Sequence, residues 1–252
     1  MTVDVFAALA GRAVRLFFRS PQAVVMTVAF PLLLLFMLLA AFGQVVGDQG
    51  GITYADRLAP LVVLATITFG TSLTGMGFFA DRTGGFLNRV RTMPVPGGAV
   101  VAGRLAGDLL RILVVAAFAA AVAQAGGFRF RHGPLAVLAF FGVVLLAAMM
   151  CTLFAAFAGL RFSAAGVQNA LNLPALLLFF LSSGLVPVAS FPGFLQPAVR
   201  ANPMSIADNV LIGLSTGGPV RTPLLLLLCW AVGVTVVFGA LTIRQFRLLI
   251  TE

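Results

Sequence analysis

The stretch LAVLAFFGVVLLAAMMCTLFAAFA, residues 135–158, contains no charged side chain and no proline. A hydrocarbon core of about 30 Å is crossed by about 20 apolar residues rising 1.5 Å each, so this run is long enough to span a bilayer as one helix. The rest of the chain has the same character. Of its 252 residues 61% are hydrophobic and only 9% charged, whereas a soluble domain carries about a quarter charged residues. Lipid must therefore solvate most of the surface, and the chain reads as an all-α polytopic membrane protein.

Working outward from 135–158, apolar runs of similar length recur at about 22–43, 58–79, 105–125, 164–186 and 223–243, which predicts six transmembrane helices in one transmembrane domain covering 1–252. Pro31 is expected to kink the first. The second carries Thr66, Thr68, Thr71, Ser72 and Thr74 with Gly70, Gly75 and Gly77, a composition suited to close helix contact. The fifth contains Gln168, Asn169, Asn172, Ser182 and Ser183, whose side chains should face protein or water rather than lipid. Ahead of the first span, residues 4–19 place Asp4, Arg12, Arg15 and Arg19 on one helical face and Phe6, Leu9, Ala13 and Phe17 on the other. That pattern predicts an amphipathic helix lying in the membrane interface.

Two connections differ from simple turns. Between spans two and three, segment 80–96 has a Gly84-Gly85 break, a basic stretch at Arg89 and Arg91, and a stop at Pro94 and Pro96, describing a short helix between spans. At the entrance to span three, Arg104, Asp108 and Arg111 recur three or four residues apart, so they can neutralise one another. Between spans five and six, Pro187, Pro192, Pro197 and Pro203 cut segment 187–222 into pieces too short to cross. Two short re-entrant helices are expected there, the second capped by Asn202 with Pro203 in its first turn.

The net charge of +9 comes from sixteen Arg, no Lys and seven acids. Basic residues flanking apolar spans set orientation, and no nucleic-acid partner is expected. Alternate connections hold eleven Arg on one side (12, 15, 19, 82, 89, 91, 104, 111, 161, 244, 247) and five on the other (57, 129, 131, 200, 221), which puts both termini in the cytoplasm. Arg129 and Arg131 run against the trend.

Several chemistries are excluded or unsupported. A phosphate loop ending in Lys cannot exist in a chain without Lys. A single His, His132, makes no zinc site of the usual kinds, and the acids are scattered with only Asp108 near a span, so neither a metal centre nor a proton relay is expected. Cys151 and Cys229 lie within apolar runs and read as packing residues. No catalytic residue is identified.

Against that background the sequence resembles the ABC type 2 transporter permeases, in particular the daunorubicin-resistance-type drug export permeases, over essentially its whole length. The matching motifs are GFLNRVRTMPVP (85–96) with GRLAGDLLR (103–111), and SGLVPVASFPGFLQPAVRANPMSIADNVLIGL (183–214). The resemblance implies that the segment around 82–93 is a cytoplasmic coupling helix docking on a separately encoded ATP-binding subunit. Arg82, Phe86, Leu87, Asn88, Arg89, Val90 and Arg91 would form the contact; Asn88 stands where relatives commonly have an acid. It also implies two permease subunits, identical or related, with a path between them lined by spans two and five. That nominates Phe69, Thr71, Thr74, Asn169, Asn172, Phe179 and Phe180, although Asn169 and Asn172 would serve equally as bonds between neighbouring helices. ATP and magnesium would be held by the partner and no cofactor by this chain. The expected function is export of an amphipathic small molecule across a bacterial cytoplasmic membrane. A lipid, glycolipid or polysaccharide fits the same implication, and an ion-coupled secondary transporter is the alternative from another class.

Overall fold

The computed structural model describes residues 29, 33–38, 40, 54–85 and 97–251. The interfacial helix expected over 4–19, most of the first span and the body of the coupling segment, residues 86–96, lie outside the described residues. What is described is helical, with no strand among these residues. The elements are α1 (Tyr54–Thr83), α2 (Gly97–Ala125), α3 (Pro134–Arg161), α4 (Ala164–Phe180), a 3-10 turn (Val188–Ser190), α5 (Gln196–Ala201), α6 (Pro203–Thr216) and α7 (Arg221–Thr251).

Four of these helices are long and apolar enough to cross a membrane: Asp56–Thr83, Gly98–Ala125, Pro134–Arg161 and Arg221–Leu249. Each extends beyond the apolar run that predicts it. Helix α1 reaches Thr83 because nothing breaks it before Gly84-Gly85, where Gly85 adopts φ 75°, a left-handed conformation that ends a helix at little cost for glycine. Helix α2 starts at Gly97, directly after Pro96, so residues 97–104 belong to the helix and not to a connection. Helix α3 begins with Pro134 in its first turn and ends with Arg161 in its last, a favourable charge for the carboxyl end of a helix dipole.

The fifth apolar run is helical over less than its expected length. Instead of running over 164–186, α4 stops at Phe180 after 17 residues, about 25 Å at 1.5 Å per residue and at the lower limit of what crosses a bilayer. The cause is a cap from elsewhere in the chain. Asn202 Nδ2 donates to the carbonyls of Leu178 (2.8 Å) and Leu181 (2.9 Å), satisfying acceptors that the next helical turn would otherwise use. The same Asn202 caps α6, its Oδ1 accepting from the Met204 amide at 2.8 Å with Pro203 in the first turn, as its sequence position predicts. One side chain thus joins the end of α4 to the start of α6.

Helix α1 lies in the middle, packed against α2, α3, α4 and α6, while α7 packs mainly on α3 and α6. Apolar surface alone does not drive helices together in lipid, so close approach depends on small residues. A Cβ on Gly159 of α3 would strike the Gly75 carbonyl and come within 2.7 Å of Phe78 Cβ; one on Gly75 would meet Leu171 Cδ1 at 2.6 Å. Gly75 and Gly159 therefore set the spacing of α1, α3 and α4. Gly70, from the same sequence cluster, has nothing among the described residues within 4 Å of its Cβ position. Of the first span, Leu35 and Leu38 are buried in the core and Leu33, Phe36 and Met37 are exposed.

Candidate functional site

The residues nominated for a substrate path divide by depth. Thr71 and Thr74 are buried inside the protomer: the Thr71 hydroxyl donates to the Thr68 carbonyl at 2.6 Å, and Thr74 Oγ1 accepts from Arg111 at 3.1 Å. Phe179 is also buried, its ring 6.2 Å from that of half-buried Phe69. Asn172 is half-buried at the α1–α4 seam, where its Oδ1 accepts from Ser72 Oγ at 3.0 Å and its Nδ2 donates to Gln168 Oε1 at 3.2 Å. Asn169 and Phe180 are exposed, on the same side of α4 as Leu173, Leu176 and Leu177. Together with Phe69 and Leu73 of α1 they make an open, mostly apolar face with two amides at its edge.

At the end of the bundle where α1 ends and α2 begins, the charges expected to neutralise one another do so within α2, and Asp81 of α1 joins them across the helices. Arg104 of α2 is ion-paired with Asp81 of α1 and lies 3.9 Å from Asp108, which is 3.7 Å from Arg111. Arg104 also sits over the Phe78 ring, 4.9 Å from its centroid, in space that a side chain on Gly77 would fill. Arg82, in the last turn of α1, donates to the carbonyls of Leu160 (2.7 Å) and Phe162 (2.8 Å), where α3 ends. Its neighbours in the expected coupling set, Phe86, Leu87, Asn88, Arg89, Val90 and Arg91, are outside the described residues. What the structure provides is their attachment: the two helices flanking 86–96 are tied to each other by the Asp81–Arg104 pair, and α1 is tied to the end of α3 by Arg82.

The opposite end, where α5 and α6 cover the bundle, holds two acids of different standing. Asp56 is buried and accepts from Arg131 at 2.7 Å, while the Arg131 amide donates to the Ser215 carbonyl at 3.0 Å. One of the two arginines that violated the charge trend thus carries a local counter-charge. Asp208 of α6 is completely buried, neither carboxylate oxygen has a hydrogen-bond partner among the described residues, and the carboxylate abuts Gly184, where no Cβ intervenes. Burial pushes this carboxyl well above the ordinary carboxylate range, with the positive charge of Arg57 opposing the shift. Sequence reasoning passed over Asp208 by treating Asp108 as the acid nearest a span. The signal was present: Asp208 falls four residues after Met204 and three before Leu211, on the apolar face of its own helix.

Comparisons with known proteins agree with this architecture. The chain is 29% identical over 220 residues, covering 85% of this chain and 76% of the relative, to a protein of Mycobacterium tuberculosis named a probable doxorubicin resistance ABC transporter permease. It is 30% identical over 237 residues, covering 94% of this chain and 83% of the relative, to a daunorubicin resistance ABC transporter permease of Streptomyces coeruleorubidus. Residues 4–214 match the ABC-2 type transporter family, a stretch that includes the charged cluster, the open α1–α4 face and the α4–α6 cap described above, and the chain belongs to that family of membrane permeases.

Proposed function

We propose that this chain is the membrane subunit of an ATP-driven exporter of a hydrophobic or amphipathic drug. Two copies, or one copy and a related chain, would pair and bind two separately encoded ATP-binding subunits that hold ATP and magnesium and perform the hydrolysis. The observation that carries the reading is the family membership, with relatives over most of the chain named for resistance to doxorubicin and daunorubicin. In this reading the chain crosses a bacterial cytoplasmic membrane six times with both termini inside, and α5 and α6 form an outer cap.

The open face of α1 and α4 would meet its counterpart on the second permease subunit and form the path. Phe69, Asn169, Asn172 and Phe180 would face the substrate, with Thr71, Thr74 and Phe179 supporting them from behind. Apolar surface with a few fixed polar groups suits a large amphipathic ligand. Energy would enter at the segment around 82–93. The helices that flank it, α1 and α2, are joined by the Asp81–Arg104 pair, so a rigid-body movement of the ATP-binding subunit at that segment would pass to the membrane helices.

The test is reconstitution with the ATP-binding partner and measurement of drug-stimulated ATP hydrolysis. Anthracyclines should stimulate, and Arg89→Glu with Arg91→Glu should weaken both copurification and stimulation. Stimulation by lipids or glycolipids with no response to drugs would move the assignment to a lipid exporter. Unchanged copurification in the double variant would remove 82–93 as the coupling site.

A further inference from the structure

Two cavities lie one after the other along α7, and their linings differ in kind. One is a cleft of about 260 Å³ bordered by α1, α3, α4, α6 and α7, with Thr68, Cys151, Ala207, Leu227, Trp230 and Phe238 among its walls. Thr68 is its one hydroxyl, and that hydroxyl is bonded back to the Leu64 carbonyl at 2.8 Å. The other is a pocket of about 480 Å³ beside α5 and the start of α7, lined by Ser183, Arg200, Ser205, Asn209, Thr222 and Leu226 among others. Arg200 is the only charged residue of that lining. On α7, Pro223, Leu226, Trp230 and Val234 recur three or four residues apart, a single stripe that borders the polar pocket at its outer end and the apolar cleft further in. Much of the rest of α7 is bare apolar surface, including Leu225, Val232, Val236 and Val237.

We infer that these two cavities together hold one resident anionic phospholipid, its phosphate at Arg200 and the surrounding hydroxyl and amide groups and one acyl chain in the cleft below. The polarity order, charged and hydroxyl-rich at the capped end and apolar along the span, is that of a lipid in a leaflet. A drug is the poorer occupant of the cleft. Drug-sized ligands occupy about 300–1,000 Å³ and need a few placed polar groups, and this cleft is smaller, almost wholly apolar, and its one hydroxyl is already bonded to its own helix. Arg200 selects an anionic head over a zwitterionic one by charge. This site is separate from the proposed transport path, since none of the path residues lines either cavity.

The full-length chain is purified in detergent, stripped of lipid, and titrated with phospholipids brominated on the acyl chain while the fluorescence of Trp230, its single tryptophan, is read. Brominated phosphatidylglycerol should quench at about fivefold lower concentration than brominated phosphatidylcholine, the effect of one interfacial guanidinium on an anionic head. Arg200→Gln should abolish that preference. Arg129→Gln, which removes an exposed arginine that lines neither cavity, should preserve it. Ala207→Phe should weaken quenching by both lipids, with Ala147→Phe filling the cleft from α3 if the first variant does not fold. Chain-free glycerol phosphate should not compete. Equal concentrations for the two lipids in the wild type, an equal loss in Arg129→Gln, or competition by glycerol phosphate would overturn the inference.

Discussion

Ser72 of α1 donates to the side-chain oxygen of Asn172 of α4 at 3.0 Å, joining the two helices whose open face is the proposed path. An interhelical hydrogen bond in a membrane protein contributes about 0.6 kcal/mol on average. Ser72→Ala should therefore lower the thermal midpoint slightly and leave drug-stimulated ATP hydrolysis unchanged. Asn172→Leu should in addition shift the drug concentration giving half-maximal stimulation. Parallel behaviour of the two variants would reduce Asn172 to a packing residue.

Asp208 makes stability depend on pH in a stated direction. Its folded-state pKa is raised by burial, so the folded protein holds the proton to higher pH than the unfolded chain does. The stability it contributes is complete below the unfolded value near 3.8 and is lost as pH rises towards the folded one. Asp208→Asn keeps a neutral group of the same shape and removes that slope. Thermal midpoints measured from pH 4.5 to pH 8 should fall less steeply in the variant, and identical slopes would refute the assignment.

Arg82 and the Arg89–Arg91 pair should separate folding from coupling. Arg82 donates to two carbonyls where α3 ends, one part-buried and one exposed. Arg82→Met should cost about 1–2 kcal/mol, since a charged hydrogen bond contributes about 1.5–3 and exposure reduces it. Denaturation midpoints should drop in Arg82→Met and hold in Arg89→Glu with Arg91→Glu, while copurification of the ATP-binding subunit should show the reverse.

Gly159 leaves no room for a methyl group between α3 and α1. The obstruction is backbone, the Gly75 carbonyl, so the helices themselves must separate. Gly159→Ala should destabilise by about 1–3 kcal/mol, the usual range for overpacking, whereas Gly70→Ala, with open space around it, should be nearly neutral. Thermal stability in lipid nanodiscs would decide, and a tolerated Gly159→Ala would contradict the tight α1–α3 spacing.

Much of the helical plan was legible because its signals are local. An uncharged run such as 135–158 must cross or be buried, a Gly-Gly pair ends α1, and Asn202-Pro203 starts α6, each through chemistry confined to a few neighbouring residues. The end of the fifth helix was not legible, for a non-local reason: α4 ends where Asn202, 22 residues beyond Phe180, caps its carbonyls. The candidate path was legible only as a set of polar residues on two spans. Which of them lie open depends on the rotation of α1 against α3, and that depends on Gly75 meeting Gly159.

By itself, then, the sequence determined that this is a helical membrane permease, where most of its apolar helices run, and which segments carry the family's motifs. Hydrocarbon admits few backbone solutions, and each leaves its mark in consecutive residues. Only the tertiary structure decided that Thr71 and Thr74 are interior while Asn169 and Phe180 are exposed, that Arg131 is paired with Asp56, and that Asp208 is buried with no hydrogen-bond partner among the described residues. Those outcomes follow from which helix faces which, and pairwise helix packing is set by contacts between residues far apart in the chain.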